Sequence, residues 1–299
     1  MKRICEKVMN FSKDNAPVYT AEPGEVMLFQ TLDCFGGQIK SEDQVLKELD
    51  LSKANPGAGP VYIKGAEKGD VLVVDILDIT VEELGVACVL TGLGPLADKC
   101  DVRTRQIPVK DGVASFQGVN WHVDPMIGVI GTAPAEGAVP NGFAGNHGGN
   151  MDSKLVKKGA RLYFPVRVPG ALLHMGDIHA SQGDGELCGH GIEIPGEIMV
   201  KVSLIKGVEL NWPLTETRDY WYVNTTSTNY EDSQVMACEE LARLACPAYG
   251  WDITDFFIYL SLQGELEVNQ GLLPMMPPNP PMINVRVGIP KLANKKRLI

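Results

Sequence analysis

Short β-branched segments bounded by glycine, proline or aspartate recur through the first two-thirds of the chain, and this punctuation restricts the folds open to it. The 299 residues include 32 glycines and 20 prolines but only 7% aromatic residues, which favours many turns over long helices. Asp75 and Asp78 break the strict alternation of one segment, which permits a β-bulge or an edge position. The pattern predicts a mainly β fold with a β-sandwich-rich core. The segments predicted as strands are residues 61–63, 71–79, 105–109, 127–130, 161–168 and 198–205.

Helical spacing replaces this pattern after residue 224. We therefore expect a β-rich core, 1–210, that carries the active site, and an α/β C-terminal part, 211–299, that packs on the core without being an independent domain. The elements predicted in this second part are a helix at 233–245 that Pro247 ends, a short helix capped by Asp252 or Thr254 that runs to Leu260, a stiff proline-rich connector at 276–282 and a last strand at 283–289.

The charge balance is acidic, with 27 lysines and arginines against 37 aspartates and glutamates and a net charge of −10. A protein that binds a phosphate backbone would need a basic patch strong enough to offset this field. The basic stretch at 291–297 is typical of a solvated end, so we expect no nucleic-acid partner.

Seven dispersed cysteines, with no pair spaced by two residues, argue against a disulfide framework or a cysteine-ligated zinc knuckle. The first residues lack the continuous apolar run of a signal peptide, and no window approaches 18 uninterrupted apolar residues. We therefore expect a cytoplasmic protein with reduced thiols and no membrane partner. The proline-rich connector and the C-terminal helices are candidates for a contact between subunits, although a monomer could use them internally.

Polar chemistry concentrates between residues 146 and 193, where GNHGGNMD, LLHMGDIHASQGDGE and LCGHGIE hold four of the five histidines. In an extended segment, Asp177 and His179 project to the same face, where both can approach one cation. The glycine-containing reversal at 182–186 can return Glu186 to that face, and a glycine-rich loop can deliver Asp152. Mixed nitrogen and oxygen ligands favour zinc, whereas the hard oxygens also suit calcium.

Several of these residues have structural interpretations as well. In its Gly-Asp-Gly turn, Asp184 can have the purely structural role of a hydrogen bond to its own backbone. Asp177 and His179 can likewise form a structural hydrogen bond with each other. His174 after two leucines is typical of a half-buried structural histidine. A softer site at Cys188 and His190 is weakened by the glycines around them. Asp124 precedes a proline and is biased to an extended conformation that can aim its carboxylate at a cleft.

Glu193 lies between two isoleucines, and its direction is open. If it points inward, burial raises the pKa of its carboxyl and suits it to proton transfer. If the isoleucines are the inner residues, Glu193 faces solvent, and alternation alone does not say which face is the core.

The long run FPVRVPGALLHMGDIHASQGDGELCGHGIEIPGEIMVKV, together with GNMD, DPMIGVIGTAP and LSLQGELEVNQ, resembles the acetamidase/formamidase family of small-amide hydrolases. The resemblance implies a β-sandwich-rich fold, a homo-oligomer and hydrolysis of formamide or acetamide to the carboxylate and ammonia. His147, His174 and His190 fall where we do not expect the family pattern to require histidine. The residues that the resemblance implies for the site are Asn150, Asp152, Asp177, His179, Gln182, Asp184 and Glu186, with Glu193 in the strand that follows.

The working hypothesis is a metal-activated water that attacks a short linear amide. The expected metal ligands are Asp152, Asp177 and His179; the expected catalytic residues are Glu186, Glu193 and Asp184; the expected substrate-binding residues are Asn150, Gln182 and Asp124. A rival mechanism uses Cys188 as the nucleophile, although nothing nearby lowers the pKa of its thiol. A rival function is a non-catalytic small-molecule-binding or calcium-stabilised structural protein on the same scaffold.

Overall fold

The structure, a computed structural model, describes residues 1–45, 49–90, 92–271 and 282–299, so nearly all of the connector predicted at 276–282 lies outside the described residues. Strands predominate in the described part, which confirms the mainly β fold class. The strands up to residue 122 are β1 Lys2–Ile4, β2 Lys7–Val8, β3 Asn10–Ser12, β4 Tyr19–Ala21, β5 Val26–Thr31, β6 Gly57–Ile63, β7 Val71–Val81, β8 Leu84–Val89, β9 Arg103–Lys110, β10 Val113–Phe116 and β11 Val119–His122. The strands that follow are β12 Met126–Gly131, β13 Ala138–Pro140, β14 Ala144–Gly145, β15 Gly148–Asn150, β16 Arg161–Pro165, β17 Leu173–His179, β18 Gly196–Ile205, β19 Leu214–Glu216, β20 Tyr220–Ser227, β21 Glu265–Gly271 and β22 Ile283–Pro290.

Two large sheets organise these strands. One has nine strands in the order β1-β5-β18-β7-β16-β19-β20-β22-β21, and the other has seven, in the order β14-β15-β12-β17-β6-β2 with β4 also paired to β6. A smaller sheet has the order β11-β10-β9-β8, and β13 pairs with β3. The long β7–β18 pair shifts register between Met199 and Val200, opposite the segment whose two aspartates break alternation, so the predicted bulge is present.

The two large sheets share one hydrophobic core. Phe29, Val74 and Ile198 from the nine-stranded sheet belong to the same buried cluster as Ile127 and Met175 from the seven-stranded sheet. Side chains from two sheet faces that interdigitate in this way form a β-sandwich. The strands after residue 211 extend the nine-stranded sheet through the β16–β19 pair rather than forming a sheet of their own.

Two helices, α1 Tyr230–Tyr249 and α2 Ile253–Gln263, pack in a second buried cluster with side chains of the nine-stranded sheet. Asp252 caps α2 as expected, since its side chain accepts hydrogen bonds from the N–H groups of Thr254 and Asp255. The prediction that Pro247 ends the first helix is wrong. Pro247 lies inside the last turn, and α1 ends at Gly250, whose left-handed φ of 69° and N–H bond to the carbonyl of Cys246 close it. Pro247 has no N–H to donate to the carbonyl of Arg243 four residues earlier, so the last turn lacks that hydrogen bond.

None of the helices in the described ranges is long and apolar enough to span a membrane.

Candidate active site

A cavity of about 140 Å³ is lined by side chains from both large sheets. Five of the residues that line it are ionisable and no more than 5% exposed. They are Asp152, just after β15; Asp177 and His179, on β17; Glu186, in the next loop; and Glu193, just before β18. The structure thus brings together the three predicted metal ligands and two of the three predicted catalytic acids.

His179 lies at the centre of this group. Its Nε2 is 3.3 Å from Asp177 Oδ1 and 3.0 Å from Glu193 Oε1. Its Nδ1 is 2.6 Å from Gln182 Oε1, and Gln182 in turn donates to the main-chain carbonyl of Asp152. Gln182 therefore orients the imidazole so that Nε2 faces the acids; it does not itself line the cavity.

The direction of Glu193 is inward. It forms isolated antiparallel bridges with Val86 and His179, and its side chain is 1% exposed. The N–H of Gly191 donates to Glu193 Oε1 at 3.1 Å. Of the two directions left open by the sequence, the one that buries the carboxyl is the one observed.

The backbone at the site is strained. Asp152, Asp177 and Glu186 have φ values of 45°, 59° and 45°, in the left-handed region that only glycine, asparagine and aspartate adopt with any ease, so the strain is greatest at Glu186. Gly128 on β12 makes the approach of two of these carboxylates possible, because a Cβ there would lie 2.4 Å from Asp177 Oδ2 and 2.6 Å from Asp152 Oδ1. Strain that persists in this way is commonly found at functional sites.

The electrostatics of the cluster are unusual for a protein interior. Burial raises the pKa of Glu186 to about 7 and that of Glu193 to about 8, and burial together with the charge of Glu186 raises the pKa of Asp152. Burial alone would lower the pKa of His179, but the charges of Glu193 and Asp177 outweigh it and raise that pKa well above its ordinary value.

Three carboxylate oxygens, Asp152 Oδ1, Asp177 Oδ1 and Glu193 Oε2, are buried without a hydrogen-bond partner among the described residues. Ligand atoms of Asp152, His179 and Glu186 lie within 4.8 Å of one another, and so do those of Cys34, Asp177 and Glu193. Buried acids that lack partners are costly unless a cation neutralises them, so this donor set fits a divalent metal ion.

The structure does not bring Asp184 or Asp124 to the cavity. Asp184 pairs with Lys154 and, at 2.8 Å, with the buried guanidinium of Arg286, because the turn directs it away from Glu186. Asp124 has a side chain that is 68% exposed, and it pairs with Lys157 at the surface. Asn150, by contrast, lines the cavity, and its side-chain amide donates to Asp152.

Among the lining residues that were not predicted, two lie beside the acids. Gln270 on β21 donates from Nε2 to Asp152 Oδ2 and to Glu186 Oε2, both at 2.5 Å, so an edge strand of the nine-stranded sheet completes the site. Cys34 lies beside Asp177 and Glu193, and burial raises the pKa of its thiol. The only sequence signal for Gln270 was its place in the LSLQGELEVNQ stretch; Cys34 had none.

The histidines outside the central group have different roles. His174 is buried completely rather than by half: its Nε2 is 2.9 Å from Asn141 Oδ1, and its ring stacks on Phe11. His147 contacts the same phenylalanine edge-on and does not line the cavity. His190 does line it, with its ring close to Cys88 Sγ.

Comparison with known proteins gives consistent results. Residues 6–141 and 138–237 match the model of the acetamidase/formamidase family. The crystal structure of an acetamidase from Bacillus halodurans superposes with a TM-score of 0.92 at 34% identity, covering 96% of this chain and 97% of that one. The structure of a predicted acetamidase/formamidase from Thermoanaerobacter tengcongensis gives 0.91 at 34% identity, covering 97% and 95%.

Among curated relatives, the formamidase of Methylophilus methylotrophus is 30% identical over 62% of this chain and 60% of its own length. The chain therefore spans about 60% of the length of the curated relatives it matches.

Proposed function

This chain belongs to the acetamidase/formamidase family, and from that premise we propose that it hydrolyses short linear amides such as formamide and acetamide to the carboxylate and ammonia. The observation that carries the proposal is the buried group of four carboxylates around His179, at the wall of a small cavity. A cavity of about 140 Å³ is much smaller than the roughly 300–1,000 Å³ of pockets for drug-sized ligands, which favours a substrate of few atoms.

We propose that Asp152, Asp177 and His179 help to hold a divalent ion, with zinc favoured by the imidazole and calcium as the alternative. The carboxylate of Glu186 lies within 4.8 Å of ligand atoms of Asp152 and His179, so Glu186 would lie beside such an ion. When bound, such an ion lowers the pKa of a water molecule and polarises the amide carbonyl. Gln182 and Gln270 hold the ligands in place through their hydrogen bonds.

The protein's own groups supply the proton transfers. Hydrolysis adds the oxygen of water to the carbonyl carbon, breaks the carbon–nitrogen bond and moves a proton from the water to the departing nitrogen. Glu186 and Glu193, with pKa values raised by burial toward neutrality, are the groups suited to take and return that proton. The side-chain Oδ1 of Asn150 is buried at the cavity wall without a hydrogen-bond partner among the described residues, so it is suited to accept a hydrogen bond from the substrate amide.

Metal analysis combined with an ammonia-release assay on formamide, acetamide and propionamide tests both the bound divalent ion and the amidase activity. We expect a stoichiometric divalent metal and ammonia release that a chelator abolishes and the metal restores. Full activity in metal-free protein would refute the role of the metal. Metal-loaded protein that releases no ammonia from any of the three amides would refute the amidase and favour the non-catalytic alternative.

We also propose that the chain forms a homo-oligomer in the cytoplasm. Helix α2 leaves large apolar side chains more than half exposed, and a second copy of the chain would cover them. All seven cysteines are free thiols, which supports a reducing compartment. Light scattering should give a multiple of 32.4 kDa, and a monomer at micromolar concentration would contradict the assembly. The exposed side chains are Ile253, Phe257, Ile258 and Leu262.

A further inference from the structure

The cavity has two chemically different sides. One side consists of the acids, His179 and the amides described above. In the part of the chain that the structure describes, the apolar side chains at the cavity all come from one short stretch between residues 34 and 54. We name this set the acyl wall; its members are Cys34, Phe35, Leu49, Leu51 and Ala54.

Hydrogen bonds at both ends of this stretch keep the acyl wall in position. The N–H of Asn55 donates to the carbonyl of Cys34 at 2.7 Å, which closes the stretch on itself. The N–H of Asp50 donates to Gln38 Oε1 at 3.0 Å. Phe35 is 4% exposed and its ring lies 5.2 Å from that of His190, so the neighbouring imidazole also holds the aromatic side chain in position.

The acyl wall adjoins the charged side directly. Cys34 Sγ lies within 4.8 Å of carboxylate oxygens of both Asp177 and Glu193. An amide whose carbonyl and nitrogen face the acids has only this wall as an apolar surface for its acyl group. Burying an acyl chain against this wall is favourable for every methylene removed from water, whereas the charged side offers no such gain.

The members of the wall differ in depth. Leu51 is 61% exposed and, with Ala54, also lines an adjoining cavity of about 480 Å³, so Leu51 lies toward the surface. Phe35 and Leu49 line only the smaller cavity that holds the acids. The deeper pair is therefore the one that an acyl chain meets after its amide group has reached the acids.

We propose that the acyl wall binds the acyl group of the amide and that Phe35 and Leu49 set the longest chain the enzyme accepts. This inference rests on the proposed amidase function and adds to it the determinant of substrate length. Single methylenes in an apolar pocket change kcat/KM by about 10- to 200-fold, so changes of side-chain volume at these two positions should be readily measurable.

The test compares kcat/KM for formamide, acetamide, propionamide and butyramide in wild type and three variants. Phe35→Leu opens the wall and should raise the butyramide-to-acetamide ratio by about 10-fold or more. Leu49→Phe narrows it and should lower the acetamide-to-formamide ratio by a similar factor. Ile39→Ala is the matched control, because Ile39 packs in the same hydrophobic cluster as Phe35 but does not line the cavity, so both ratios should stay at wild-type values.

The outcomes distinguish a failure of the proposed amidase function from a failure of the role given to the acyl wall. Wild-type protein that releases ammonia from none of the four amides overturns the proposed function and this inference with it. Active wild type with unchanged ratios in both Phe35→Leu and Leu49→Phe overturns the acyl wall alone. Melting temperatures of the variants show which are folded, and if Phe35→Leu does not fold, Leu49→Phe alone decides the outcome.

Discussion

Replacement of Gly128 by alanine isolates the contribution of site geometry from that of the ionisable groups themselves. Gly128 carries no chemistry, and its φ lies outside the left-handed region, so its backbone accepts alanine. The added methyl group would point at the carboxylates of Asp177 and Asp152, at 2.4 and 2.6 Å. Ordinary van der Waals contact begins at 3.4 Å, so both carboxylates have to retreat.

The size of the effect follows from that displacement. Asp177 Oδ2 has to move by about 1 Å and Asp152 Oδ1 by slightly less, and a misplacement of this size costs about 10²-fold in rate. A factor of 100 corresponds to about 2.7 kcal/mol of transition-state stabilisation. Since both acids are proposed metal ligands, we expect metal affinity to fall together with kcat/KM for formamide.

The assay measures ammonia release and bound zinc in Gly128→Ala and in Gly183→Ala. Gly183 lies in the loop between His179 and Glu186, but a Cβ there meets nothing within 4 Å and no positive φ is required, so this variant should match wild type. A Gly128→Ala variant that is folded and keeps wild-type zinc affinity and kcat/KM would show that the position of the two carboxylates does not matter, and the reasoning would fail.

Three further predictions concern protons and the residues outside the cavity. Burial lowers the pKa of His147 to about 4 and of His174 to about 3, against 6.5 in the unfolded chain, so only the unfolded chain takes up these protons as the pH falls. The contribution of each histidine to the free energy of unfolding should therefore drop by roughly 2 kcal/mol between pH 7 and pH 5, while Glu186 and Glu193, whose pKa values are raised in the folded chain, contribute in the opposite direction. Comparison with His147→Gln isolates the histidine contribution, and urea midpoints of this variant that fall as much as those of wild type would contradict it. Because burial raises the pKa of Glu193 to about 8, zinc binding at pH 7 should release protons. Calorimetry in buffers of different ionisation enthalpy counts these protons, and a count of zero would contradict the raised pKa of Glu193 at a zinc site. Asp124→Asn and Cys188→Ala should each leave kcat/KM within about two-fold of wild type, since the first breaks only an exposed ion pair; a loss of activity with intact folding would return that residue to the site.

The sequence locates most of the candidate site because its chemistry is local. Asp177 and His179 are two residues apart on one strand, so period-2 geometry alone places them together. Glu193 illustrates the limit of such reasoning, since alternation does not say which face is buried and only the pairing with His179 decides it.

The rest of the site depends on tertiary contacts that leave no local pattern. Gln270 contacts Asp152 from 118 positions later in the sequence. Cys34, near the N-terminus, lies beside Glu193, which is in the second half of the chain. Asp184 was predicted to join the site with Glu186 of the same turn. Its carboxylate instead accepts a hydrogen bond from the buried Arg286 on a distant strand. The fold class was predictable because glycine and proline mark turns locally, whereas the passage of α1 through Pro247 depends on where the helix packs.

The left-handed conformations of Asp152, Asp177 and Glu186 have a consequence for directed evolution. Each costs roughly 1–2 kcal/mol relative to a residue that favours that region. Substitution of any of the three by glycine or asparagine removes strain and buried charge, so a screen for heat resistance alone should enrich such inactive variants. A library for improving this protein therefore needs selection for turnover in every round. In sequences selected for heat resistance alone, the positions where the native residue is lost would be the functional positions.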